Sequence, residues 1–285
     1  MSLTLRRSRP DDAAATGDIC YRAFKTIAEA HNFLPDFPSP EVAAELLSGL
    51  IRHDKFFDLV AESDGRIAGS NFLDERNSIA GIGPITIDPD AQNSRAGHAL
   101  MQAVLERARE QGFAGIRLVQ AGYHNRSLAL YLKLGFEVRE HLSCLQGPAI
   151  AKTIPGCKVR PALPADLAGC NALCLRVHGH HRGGELADAI QQGTAKVVER
   201  TGRITGYSSS MAFFGHSMGE TVRDLQALIS AAEAFAGPGI LVPTRNAALF
   251  RWCLENGLRV VHPMTLMSMG MYQEPAGSFL PSVLY

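Results

Sequence analysis

Eight residues, Gln92, Asn93, Ser94, Arg95, Ala96, Gly97, His98 and Ala99, stand between two periodic stretches. Before them Ile85, Thr86 and Ile87 make a short β-branched, alternating run that suits a strand, closed by Asp88, Pro89 and Asp90. After them Leu100, Met101, Val104, Leu105 and Ala108 recur at three and four residues, which predicts a helix over Leu100 to Glu110 with one buried face. The intervening loop is small and polar, and Asp88 and Asp90 are its only acidic residues. A loop of this kind leaves several backbone N–H groups at the helix start free to converge on one spot. The helix dipole favours an anion there. Gly97 adds close backbone approach. The chemistry these residues can do is to cradle a phosphate, although a plain strand-turn-helix unit shares the same features.

The next elements carry a second signal. Gly115 to Val119 reads as a strand, followed by a helical stretch from His124 to Leu134 and then Gly135-Phe136. The two motifs in order resemble the GNAT superfamily of N-acetyltransferases. Its pyrophosphate loop follows Gln/Arg-x-x-Gly-x-Gly/Ala, and its next helix carries Asn, then Tyr six residues on, then Gly-Phe. Gln92 and Gly97 match the ends of the loop pattern, and Arg95 stands where the first glycine is usual. Asn125, Tyr131, Gly135 and Phe136 match without a gap.

The resemblance implies acetyl-CoA as co-substrate, no metal, and transfer of the acetyl group to a primary amine of a small molecule or protein. The backbone of Gln92 to Ala99 would hold the diphosphate, and the strand edge Ile85, Thr86, Ile87 would pair with the pantetheine amides. It further implies that Asn125 contacts the cofactor arm and Tyr131 protonates the departing thiolate. A phenol near pKa ~10 is a suitable donor to a thiolate. Asp74 and Glu75, at a strand end, are candidates for deprotonating the amine, as is His124 beside Asn125; each also fits a solvated surface. In this superfamily the segment between the first two helices commonly walls the acceptor site, which makes Phe33, Asp36 and Phe37 candidate substrate contacts. Covering the core edge is the alternative for the two phenylalanines.

The elements that must position these residues follow from the pattern. Leu3 to Arg7 alternates as a strand, and Asp11 or Asp12 can cap a helix running to about Ala30. Prolines at 35, 38 and 40 forbid a helix across the aromatic loop His31 to Pro40, and a second helix runs to about His53. Phe57 to Glu62 and Arg66 to Leu73 form a hairpin about Ser63-Asp64-Gly65. At 285 residues the chain suffices for two domains. Lys plus Arg equals Asp plus Glu at 28 each, so no global field favours nucleic acid or an anionic membrane. The N-terminus shows no apolar leader, and six cysteines without a CxxC pair suit a reducing cytoplasm. A cytoplasmic monomer or homodimer, binding neither nucleic acid nor membrane, is the expectation.

Beyond a linker at 149–156 the chain begins again. Val159-Arg160-Pro161 and Asp166 echo the first strand and its cap, Val197 to Gly206 echoes Val60 to Gly69, and Asn246 with Gly257-Leu258 echoes Asn125 with Gly135-Phe136. The fold class is therefore α/β (α+β), two tandem GNAT-like domains, each a mixed, mostly antiparallel sheet flanked by helices on both faces. Residues 1–148 would be the acetyl-CoA-binding domain. Residues 157–285 would be a degenerate copy with a structural or acceptor-site role: no Gln-x-x-Gly-x-Gly lies between Phe213 and Asp224, and Trp252 falls at the tyrosine position. His178, His180, His181 and Arg182 read as a solvated loop in preference to a metal site, Cys170 and Cys174 as core, and the apolar tail from Gly277 as docked. An acetyl-CoA sensor or interaction module on the same fold is the rival to an enzyme.

Overall fold

The structure, a computed structural model, describes residues 3–91 and 95–284. Strand β1 (Leu3–Arg7) leads into helices α1 (Ala13–Ala30) and α2 (Pro40–Arg52), then strands β2 (Phe56–Ser63), β3 (Arg66–Asp74) and β4 (Ile79–Ile82). A short β5 (Thr86–Ile87) precedes α3 (Ala96–Glu110), β6 (Gly115–Ala121), α4 (Asn125–Lys133) and β7 (Glu137–Gln146). The order then repeats: β8 (Lys158–Pro161), α5 (Leu167–His178), α6 (Gly183–Gln191), β9 (Lys196–Arg200), β10 (Arg203–Ser208) and β11 (Ser217–Gly219). It continues with α7 (Val222–Ser230), β12 (Ile240–Pro243), α8 (Ala247–Glu255) and β13 (Arg259–Gly270), and β14 (Ser278–Leu280) follows.

The repetition extends to side-chain bonding. Arg6 binds Asp12 at 2.6 Å and Glu62 at 2.6 Å, and Arg160 binds Asp166 and Glu199, each at 2.7 Å, from the corresponding strand. In both copies the aspartate also accepts the backbone N–H three residues before it, at 2.7 Å. The second copy differs by losing loop. Residues 31–39 join α1 to α2 where 179–182 join α5 to α6, and residues 88–95 precede α3 where only 220–221 precede α7.

The sheets are not divided as the sequence suggests. Strand β13 of the second half lies between β6 and β7 of the first, antiparallel to both: Met264 faces Ala121 on one side and Leu142 on the other. Strand β12 extends the same sheet, with Ile240 opposite Leu145 and Pro243 opposite Leu142. The result is one nine-stranded sheet built from both halves and a second sheet ordered β14-β11-β10-β9-β8. The physical reason is that β6 and β7 are not neighbours. Without β13 each presents an open ladder edge, and β13, buried from Met264 to Ser268, fills the gap on both edges at once.

Helix α3 buries Leu100, Met101 and Val104 fully against this sheet, as its periodicity requires. Helices α1 and α2 meet at Gly17, where a Cβ would sit 2.3 Å from Ala44 Cα, so their close crossing needs a residue without a side chain. The tail docks as its apolar character predicts, with Leu284 packed beside Cys20, Phe37 and Leu47. Among the described residues no helix is long and apolar enough to cross a membrane.

Candidate active site

Strands β4 and β6 pair in parallel from Ile79 with Gly115 to Gly81 with Arg117, and then part. Gly83, at a φ of 141°, and Pro84 turn the chain toward β3, where Thr86 and Ile87 pair with Ser70 and Gly69. Because β5 has gone to β3, its other edge faces an opening between the strands rather than β6. A cavity of about 700 Å³ fills that opening. It is floored by Leu118 to Ala121 of β6 and rimmed by Ile82 to Ile87. Arg95 and His98, at the start of α3, are exposed and mark its mouth, whereas Asp36, in the loop between α1 and α2, is a mostly buried part of the wall.

Helix α3 begins a turn earlier than the apolar pattern indicates, at Ala96, because Ala96, Gly97 and His98 keep helical backbone without contributing to the apolar repeat. Arg95, Ala96, Gly97 and His98 line the cavity. The first-turn N–H groups of Gly97 and His98 lie at the end of the helix where intrahelical acceptors run out. Ala99 is different: its N–H donates to the Arg95 carbonyl at 3.0 Å, so it supplies no cradle donor. Arg95 takes up the left-handed backbone, φ 65°, that the usual glycine accommodates without strain, and it places a cation at the mouth. Gln92, Asn93 and Ser94 lie outside the described residues.

Tyr131 lines the cavity from α4 and packs edge-on against Phe136, ring centroids 6.1 Å apart. Burial pushes its phenol above the ordinary tyrosine value, so the proton stays on at neutral pH. Asn125 is the exposed first residue of α4 and is not part of the lining. His124 caps that helix, its side chain accepting from Ser127 N–H at 3.3 Å, and burial depresses its pKa. Asp74 and Glu75 are not brought to the cavity. Asp74 is held by Arg76 at 2.6 Å and Glu75 by Arg107 at 2.7 Å, which leaves both as structural ion pairs. Arg107 sits 32 positions beyond Glu75, a pairing that local pattern does not reveal.

The loop between α1 and α2 does reach the cavity, through Asp36 and Phe37. Asp36 is only 12% exposed, and its Oδ1 is buried with no hydrogen-bond partner among the described residues. Burial lifts its carboxyl to about 6. The nearest basic group is His262 of β13, Nε2 3.9 Å from Asp36 Oδ1, and burial lowers that imidazole to about 4. Phe33 stacks on Tyr123 at 4.4 Å, and both rings meet His262 edge-on, at 6.4 and 6.3 Å. Phe213, Phe214, Met264, Val283 and Leu284 bring the second half to the cavity wall. Of these contributors the sequence reading names Phe33, Asp36 and Phe37 and misses Tyr123 and His262.

The second half departs from the sequence expectation in two places. Matching the left-handed glycines that end α4 and α8, Gly135 and Gly257, puts Cys253 and not Trp252 opposite Tyr131. The bonds agree: Phe136 N–H donates to Tyr131 O at 3.0 Å and Leu258 N–H to Cys253 O at 3.1 Å. The histidine loop is largely buried, with only His181 of its three histidines exposed. His178 and His180 are buried and stacked at 5.7 Å, with His178 edge-on to Phe279, and nearby Glu185 pairs with Arg182 and with His216 at 2.8 Å. The loop is short and folds inward beneath β14, which sequence composition cannot show. Cys170 and Cys174 are core, as expected. Among the described residues no group of three or more His, Cys, Asp or Glu side chains is placed to hold a metal ion.

The model of the acetyltransferase (GNAT) family matches residues 23–136, from within α1 to Phe136, a stretch that includes the start of α3 and Tyr131. No curated protein matches the chain. Two solved structures resemble it over nearly its full length. One is a candidate acetyltransferase of Pyrococcus horikoshii, 18% identical over 97% of this chain and 94% of that one, with a TM-score of 0.74. The other is a GCN5-related N-acetyltransferase of Sphaerobacter thermophilus, 16% identical over 95% of this chain and 96% of that one, TM-score 0.61. At these identities the likeness is one of fold, and it takes in both halves. Residues 23–136 thus carry a domain of the acetyltransferase (GNAT) family, a family of acetyl transfer from acetyl-CoA, and over the rest of the chain the likeness is one of fold.

Proposed function

We propose that the chain transfers the acetyl group of acetyl-CoA to a primary amine by direct attack within a ternary complex, in the cavity between β4–β5 and β6. The observation that carries this reading is the polarity of that cavity. Its exposed lining bears Arg95, His98 and Arg126, and the only acidic lining residue among the described residues is the mostly buried Asp36. An anionic coenzyme and a cationic acceptor are each drawn to the opposite charge. The α3 start and Arg95 hold the diphosphate, the β5 edge pairs with the pantetheine arm, and a backbone N–H there stabilises the oxyanion.

Chemistry then needs one proton removed and one supplied. Asp36, raised toward neutrality by burial, accepts a proton from the ammonium, in the role that Asp74 and Glu75 are too committed to their arginines to fill. The neutral amine forms the new N–C bond, the C–S bond breaks, and Tyr131 gives its proton to the thiolate. The amide nitrogen's excess proton restores the phenol, so one proton is released overall. We place the domain boundary at 149–156, with 157–285 a degenerate copy that walls the acceptor end. Its two-residue loop before α7 and the thiol at 253 support the absence of a second cradle and acid.

Incubating the protein with isotopically labelled acetyl-CoA and an amine panel tests the reading by mass spectrometry. Tyr131→Phe is expected to lower kcat by ~10²–10⁴-fold while leaving coenzyme affinity intact. Unchanged turnover in that variant would remove the phenol from the mechanism.

A further inference from the structure

We infer that the acceptor of this enzyme is a compact monoamine with an apolar body, its ammonium seated on Asp36 within a box of aromatic side chains contributed by both halves of the chain. The inference rests on the acetyl-transfer reading and adds to it the class of molecule transferred to.

The first argument is charge. A buried carboxylate is costly unless a cation and hydrogen-bond donors meet it. Asp36 has a buried oxygen without a donor, and the only base within 4 Å is His262, itself buried and with no hydrogen-bond partner among the described residues at either nitrogen. Burial depresses the His262 pKa to about 4, so at neutral pH the imidazole carries no charge to offer. The site is short of one positive charge and of donors, and an alkylammonium supplies both.

The second argument is shape and polarity. Phe24, Phe37, Phe213, Phe214 and Met264 line the cavity, and Phe33, Tyr123 and Phe213 meet His262, which lies 3.9 Å from Asp36. Aromatic faces accept a cation and its alkyl stem. They offer nothing to a peptide backbone, whose amides would be buried without partners. A second ammonium, as in a polyamine, would find no second carboxylate, because the remaining charged lining is basic. The volume sets the size limit. About 700 Å³ must take both the acetyl-pantetheine arm and the acceptor, in a range where whole sites for a single drug-sized ligand run ~300–1,000 Å³.

Phenethylamine and isobutylamine, set against spermidine and trialanine with the full chain, test the assignment. The two monoamines are expected to exceed the other two in kcat/KM by ~100-fold or more. Asp36→Asn is expected to raise the phenethylamine KM by a similar factor while coenzyme A still binds by calorimetry, which also certifies that the variant is folded. Calorimetry on the unaltered protein gives an independent reading: phenethylamine binds and its neutral counterpart phenethyl alcohol does not. Equal binding of the alcohol, preference for spermidine or trialanine, or an unchanged KM in Asp36→Asn overturns the acceptor assignment. Failure of coenzyme A to bind instead strikes the acetyl-transfer reading, and the amine-against-alcohol comparison still decides the box.

Discussion

At the scale of single residues, Asp36 and Arg95 both sit where stability alone would not place them. Burial raises the Asp36 carboxyl to about 6 among Cys20, Tyr123, Cys144 and His262, none of which is a cation at neutral pH. The empty native state therefore holds that proton more tightly than the unfolded chain. Stability falls as pH rises from the usual carboxylate value near ~4 to about 6, and the deficit persists above it, on the order of 3 kcal/mol. Asp36→Asn should accordingly raise the Tm of the unliganded protein at pH 8 and change it little at pH 4, by scanning calorimetry. An equal shift at both pH values would contradict the assignment. For the same reason kcat/KM, which reports the free enzyme, should decline as pH drops through about 6 and the carboxylate is lost. Arg95→Gly relieves a left-handed backbone worth ~1 kcal/mol, so the variant should be no less stable. Its affinity for coenzyme A should fall, and the affinity that remains should depend less on salt than that of the parent. The helices α3 and α4 and the place of Tyr131 on the second were legible because local spacing fixes them. Asp74 and Glu75 misled because what neutralises them, Arg76 and Arg107, depends on side-chain geometry and on a residue far along the chain.

At the scale of elements, the cavity exists because β5 leaves β6 for β3 and because α1 and α2 hold the Asp36 loop over the gap. That loop is positioned by the crossing at Gly17, where an added Cβ would meet Ala44 backbone at 2.3 Å. Gly17→Ala should destabilise the protein by about 2 kcal/mol and raise the acceptor KM more than it alters coenzyme binding. Denaturant unfolding and steady-state kinetics check the two parts. Helices and strands were readable from period and punctuation, down to the proline-bound loop at 31–40. The start of α3 was not, because a helical first turn made of Ala96, Gly97 and His98 carries no apolar repeat. The register of α8 was misread for a related reason. An aromatic at Trp252 looked like the counterpart of Tyr131, but the capping glycine assigns that place to Cys253.

At the scale of the whole molecule, the two copies are interlocked. Strand β13 separates β6 from β7 and β12 flanks β7 on its other side, so a fragment of residues 1–150 would open one edge of β6, leave β7 unpaired, and lose His262 and the second-half wall of the cavity. That fragment should fail to unfold cooperatively by circular dichroism, and co-expression with 151–285 should restore it. A stable, coenzyme-binding 1–150 would show that the shared sheet is dispensable. The internal repeat was visible in the sequence, but its consequence was not: nothing in β13 marks which neighbours it pairs with, since strand pairing is a long-range choice. The central claim is that a single coenzyme diphosphate sits on the α3 start of the first copy. A crystal structure of the full chain with coenzyme A tests it most directly. The diphosphate is expected within hydrogen-bond range of the Gly97 and His98 amides, and a diphosphate at the α7 start near Thr221, or none at all, would rule the mechanism out.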